Sequence, residues 1–109
     1  MNRALTERER AVLATLAAAA DSPNLLAQLP KARVTGACGC GCPTISFTGS
    51  DEPGGMEVVA DAEASDASGA ILLFVSATGK LASLEYAWVT DAPPAEFPAA
   101  ESLISARKT

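Results

Sequence analysis

Two hydrophobic periods divide this chain. Between residues 7 and 20, Val12, Leu13, Leu16, Ala19 and Ala20 recur at helical spacing and form one stripe that lies on a core. Thr6 followed by Glu9 is a capping box, in which each side chain satisfies the other residue's backbone amide, and Glu7 and Glu9 complement the positive end of the helix dipole. The spacing therefore predicts a helix over 7–20. Asp21-Ser22-Pro23 ends it, and Ser22 as N-cap with Pro23 in the first helical position starts a short second helix through "NLLAQL", stopped by Pro30.

From Arg33 the period changes to two, which predicts strands near 32–37, 43–48, 56–63, 70–76 and 81–89. In "MEVVADAEA", Met56, Val58, Ala60 and Ala62 alternate with Glu57, Asp61 and Glu63, the pattern of a strand with one wet face. "AILLFVS" is apolar on both faces, as a central strand requires. If Thr78 and Gly79 close a hairpin, Leu73 faces Leu84 and Ile71 faces Tyr86, while Leu72 and Phe74 share the other face with Ser83 and Glu85.

These elements give an α+β fold, with one or two N-terminal helices packed on a mostly antiparallel four- to five-stranded sheet. Short loops make a meander the simplest order. Residues 1–109 read as a single domain, helical over 6–29 and sheet over 32–89, with a proline-rich C-terminal tail over 90–109. The Pro93-Pro94 pair ends the last strand, Phe97 tacks the tail onto the body, and "AAESLISARK" adds one helical turn or frays.

Composition narrows the function. Hydrophobic residues make up 49% but aromatics only 5%, so the core is thin and built of small and aliphatic side chains. A net charge of −5 argues against a nucleic-acid partner, which needs a positive footprint. "AVLATLAAAAD" after Arg3, Arg8 and Arg10 has the outline of a signal peptide, but Glu7 and Glu9 break the positive region and the capping box makes it an ordinary helix. No run reaches the ~18 apolar residues of a membrane span. Three cysteines cannot pair completely, which places the chain in a reducing, cytoplasmic setting.

Those cysteines, Cys38, Cys40 and Cys42, stand in "ACGCGCP" in a chain without histidine. Structural zinc sites usually take two Cys-x2-4-Cys pairs, whereas an extended Cys-x-Cys-x-Cys run leaves successive cysteines about 7 Å apart at the backbone. Gly39 and Gly41 allow a tighter path, and zinc with a carboxylate such as Asp61, or copper(I) on two or three thiolates, then becomes feasible. A Cys-x-Cys disulfide closes a small strained ring and is redox-labile. The plainest reading is structural: small apolar cysteines packed in a glycine-kinked strand, with Pro43 restarting the extended path.

No catalytic constellation is present, since a serine nucleophile has only Lys31 and Lys80 as bases within the body, and the chain reads as no enzyme. Glu57, Asp61 and Glu63, with Glu85 beside them, predict an acidic sheet face that suits a basic protein partner, and Trp88 at the last strand's end is the aromatic anchor. The segments "CGCGCPTISF" and "ILLFVSATGKLASLEYAWVTDAPPAEFP" resemble small uncharacterised actinobacterial-type proteins with a Cys-x-Cys-Gly-Cys-Pro element, a hydrophobic hairpin ending in aromatics and a proline-rich tail. That resemblance spans residues 5 to 100 and implies the fold without an activity. The leading expectation is a non-enzymatic protein-binding module, monomer or homodimer, comparable with acidic immunity proteins. The alternative is a zinc, copper or thiol-redox site at Cys38, Cys40 and Cys42.

Overall fold

The computed structural model, which describes residues 1–109, starts its first helix where the capping box places it. Thr6 Oγ1 accepts from the Glu9 amide at 3.1 Å, and the Thr6 amide donates to Glu9 Oε1 at 2.9 Å. Helix α1 runs over Glu7–Ala19 and buries Val12, Leu13, Leu16 and Ala17. Glu9 also receives both nitrogens of the Arg3 guanidinium, at 2.8 and 2.9 Å. Burial would raise its pKa, but Arg3 and the Thr6 amide outweigh it and hold the carboxyl below its ordinary value.

Helix α2, Pro23–Gln28, is capped by Ser22, whose hydroxyl accepts from the Leu25 amide. It clamps a turn 51 to 55 residues downstream. Asn24 and Gln28 both donate to the Gly79 carbonyl at 3.0 Å, and Gln28 Oε1 accepts from the Leu81 amide at 2.9 Å.

The strands form two antiparallel sheets. β1 (Arg3–Ala4) and β2 (Arg33–Val34) make a small pair. The larger sheet contains β3 (Gly36–Ala37), β4 (Ile45–Ser46), β5 (Met56–Ala64), β6 (Gly69–Ser76), β7 (Leu81–Trp88) and β8 (Leu103–Lys108), in the order β3-β4-β7-β6-β5-β8. The α+β class with a mostly antiparallel sheet agrees with the sequence, but there are six strands and two rather than four to five. One reason is that the stretch expected at 32–37 divides at Thr35, so that β2 pairs with β1 and β3 pairs with β4. The other is the tail, whose last residues find open hydrogen-bonding groups along β5 and extend there.

Nor is the sheet a simple meander. β4 lies beside β7, with Ile45 opposite Leu84, and residues 48–55 carry the chain past the β6–β7 turn to β5 on the far side. The β6–β7 register is the expected one: Leu73 faces Leu84 and Ile71 faces Tyr86. Its loop is longer than two residues, because the Ser76 amide donates to the Lys80 carbonyl across residues 77–79, with Gly79 at φ +87°. A bulge between Phe74 and Val75 absorbs the extra residue and preserves the register beyond it.

A cluster of 19 buried hydrophobic residues joins α1, α2 and one face of the large sheet, including Leu13, Leu16, Ile71, Leu73, Leu84, Tyr86 and Phe97. Phe97 is 1% exposed and stacks on Tyr86 with ring centroids 6.0 Å apart, so the tail is tied down as its sequence suggests. No helix is long and apolar enough to cross a membrane.

Candidate metal centre

The β3–β4 pairing builds the cysteine loop. Gly36 opposes Ser46 and Ala37 opposes Ile45, after which the Cys38 amide donates to the Thr44 carbonyl at 3.2 Å. Five residues, 39–43, are left to reverse the chain, and Gly41 turns at φ +89°, a conformation that disfavours a side chain. The reversal folds the run inward. All three Sγ atoms lie within 4.8 Å of one another, with Cys38 and Cys40 sulfurs 2.9 Å apart.

This geometry corrects two expectations. The run is a turn rather than a kinked strand, so the sulfurs are far closer than an extended path allows. They are not packed as core either: Cys38 and Cys40 are exposed and Cys42 is half-buried. Three free thiols at such spacing could hold a metal ion, because a tetrahedral ion with metal–sulfur bonds of about 2.3 Å places its sulfurs about 3.8 Å apart.

Thr44 anchors the loop to the sheet. Its Oγ1 accepts from the Tyr86 amide at 3.0 Å and the residue also hydrogen-bonds Cys42. Burial pushes the Cys42 thiol up, but hydrogen bonds from Thr44 and Cys40 more than offset this and lower its pKa to about 7. Cys40 moves the other way, to about 11, first through its hydrogen bond with Cys38 and then through that with Cys42. Of these two thiols, Cys42, held beside the sheet by Thr44, is the more acidic.

Glu85, Tyr86, Ala87 and Trp88 wall a shallow hollow of about 290 Å³ with the three cysteines and Thr44. Two residues expected on a partner surface, Glu85 and Trp88, therefore sit at the cysteine loop. Tyr86 is 4% exposed and belongs to the core, whereas Trp88 is partly exposed, the division its place near the strand end predicts. Cys42 also borders a neighbouring cleft with Arg3 and Arg8, but those cations are engaged by Glu9 and Glu96.

The acidic face is divided. A bulge between Val58 and Ala60 shifts the alternation of β5, so Glu57 opposes the core residue Val75 while Asp61 and Glu63 oppose Leu72 and Ala70 on the other face. Asp61 accepts from Arg107 Nε at 3.0 Å and Thr109 Oγ1 at 2.6 Å. It is not a fourth ligand, since the cysteines stand alone in their cluster. Glu85 and Asp61 share a face but flank Leu72, two strand spacings or about 10 Å apart.

Sequence reasoning passed over Thr44 because its role depends on β4 lying beside β7, and only its place next to Cys-Pro marks it. No protein-family model, curated protein or solved structure matches the chain.

Proposed function

We propose that the protein binds a thiophilic metal ion through Cys38, Cys40 and Cys42 and holds it as exchangeable cargo rather than as a structural ion. The observation that carries this reading is the convergence of three Sγ atoms within 4.8 Å on a loop that contributes nothing to the 19-residue core. A structural zinc site contributes its binding free energy to folding, and its loss unfolds the domain. Here the core closes without the cysteines, so the ion can leave while the fold stays.

The test is metal titration of the reduced chain, followed by thermal unfolding with and without chelator. One equivalent of a soft ion per chain, lost in the triple serine variant C38S/C40S/C42S with the unfolding temperature unchanged, is the expected result. A chain that takes up none, or that unfolds when the metal is removed, overturns it.

A second reading, thiol redox, draws on the 2.9 Å approach of Cys38 and Cys40. Oxidation by a disulfide would join these two sulfurs, and the two electrons and two protons would leave on the reduced dithiol. Protein binding by an acidic sheet face is the weaker reading, because Glu57 lies on the opposite face and Asp61 is neutralised by Arg107.

A further inference from the structure

We infer that the cargo is monovalent copper, bound by the three thiolates of the loop without a ligand from outside it and passed on by thiol exchange at Cys40; this rests on the metal-binding reading above. Zinc in a closed protein site takes four protein donors in a tetrahedron, and with three it needs a water to complete the shell, whereas copper(I) is satisfied by two or three soft sulfurs alone. The cluster offers three. The chain has no histidine, and the atoms within 4.8 Å of one another are the three sulfurs alone. Glu85 is the one carboxylate that lines the same hollow, and it stands outside that cluster. It is also a hard oxygen donor, poorly matched to a soft monovalent ion. The remaining wall consists of Thr44, Tyr86, Ala87 and Trp88, of which none supplies a soft ligand.

The three sulfurs differ in how firmly they are held, which gives exchange a direction. Cys42 is half-buried and tied through Thr44 to the Tyr86 amide, and the Cys38 amide is bonded to the Thr44 carbonyl, while Cys40 stands exposed in the turn between Gly39 and Gly41. Gly39 and Gly41 have no neighbour within 4 Å of the position a Cβ would take, so nothing covers that side of the loop. An incoming thiol reaches the ion there. Its sulfur forms a bond to copper, the bond from copper to Cys40 Sγ breaks, and the proton of the incoming thiol passes to Cys40. Copper remains monovalent and no electron changes hands.

The experiment uses the full chain, reduced and anaerobic, titrated with cuprous ion against a competing bicinchoninate chelator, with a parallel zinc arm. One equivalent of copper is expected, with each of C38S, C40S and C42S weakening binding by more than about 100-fold, beyond the 10- to 100-fold typical of groups outside a ligand set. E85Q is expected to leave the affinity unchanged. A loss in E85Q equal to that of a cysteine variant, or failure of cuprous ion to displace equimolar zinc, overturns the copper assignment while the metal-binding reading stands. A chain that binds neither ion overturns both. Transfer to dithiothreitol should accelerate in proportion to the dithiol concentration, and a rate independent of it overturns the exchange step.

Discussion

At the scale of single residues, Cys42 differs from its two neighbours because of Thr44. The hydroxyl of Thr44 is held by the Tyr86 amide, and Thr44 in turn stabilises the Cys42 thiolate, lowering that pKa to about 7 from the ordinary 9.0. Alkylation of the metal-free, reduced chain followed by peptide mapping should therefore label Cys42 ahead of Cys40, with a rate that rises as pH passes through about 7. In T44V the rise moves toward higher pH. The same change leaves the Tyr86 amide without its acceptor, which costs about 1–3 kcal/mol if no water replaces it. Labelling of Cys42 and Cys40 at equal rates at neutral pH would refute this role for Thr44. The cysteines were legible in the sequence as a candidate site, but their proximity was not, because spacing gives backbone separation and not the path of a turn.

The elements were legible where a local rule governs them. Thr6 and Glu9 cap α1, Ser22 caps α2, and the β6–β7 partners follow from alternation alone. Bulges defeat that rule. One extra residue near Val59 sends Glu57 to the other face, and nothing in "MEVVADAEA" marks where it occurs. The tail shows both outcomes: Phe97 is buried as an isolated aromatic in a polar segment suggests, whereas "LISARK" becomes a strand only because β5 presents an open edge. Phe97 closes the core by stacking on Tyr86, so F97A should destabilise the chain by about 3–5 kcal/mol in denaturant titration. A loss below about 1 kcal/mol, the size of a surface change, would mean that the tail is not part of the cooperative unit.

For the whole molecule, the consequence of this architecture is that stability and the candidate metal site reside in different places. The core joins α1 to one face of the sheet, and the cysteine loop projects from the β3–β4 end. The buried charge that bears on stability is instead Glu9, which links Arg3 of β1 to the cap of α1. Its pKa in the folded chain lies below the ordinary 4.5, so its contribution is fully present above pH 4.5 and declines as pH falls through the folded value. E9Q should be less stable than the parent at pH 7, by the ~1 kcal/mol scale of a lost cap partner, and the difference should shrink on acidification below pH 4.5. A difference that stays constant from pH 7 to 3, followed by denaturant unfolding, would exclude Glu9 as an acid-sensitive support.

By itself the sequence determined the α+β class, the two helix starts, the central hairpin register and the identity of the three candidate ligands. Each depends on residues within a few positions of one another or on a strict period of two or 3.6. Only tertiary structure decided that β4 lies against β7, that the C-terminal residues complete the sheet, and that "ACGCGCP" turns back on itself with its sulfurs converging beside Glu85 and Trp88. The first two depend on pairing between segments some 40 residues apart, and the third on the short β3–β4 pairing together with β4 lying beside β7; in each the free energy comes from hydrogen bonds and buried surface that no local pattern records.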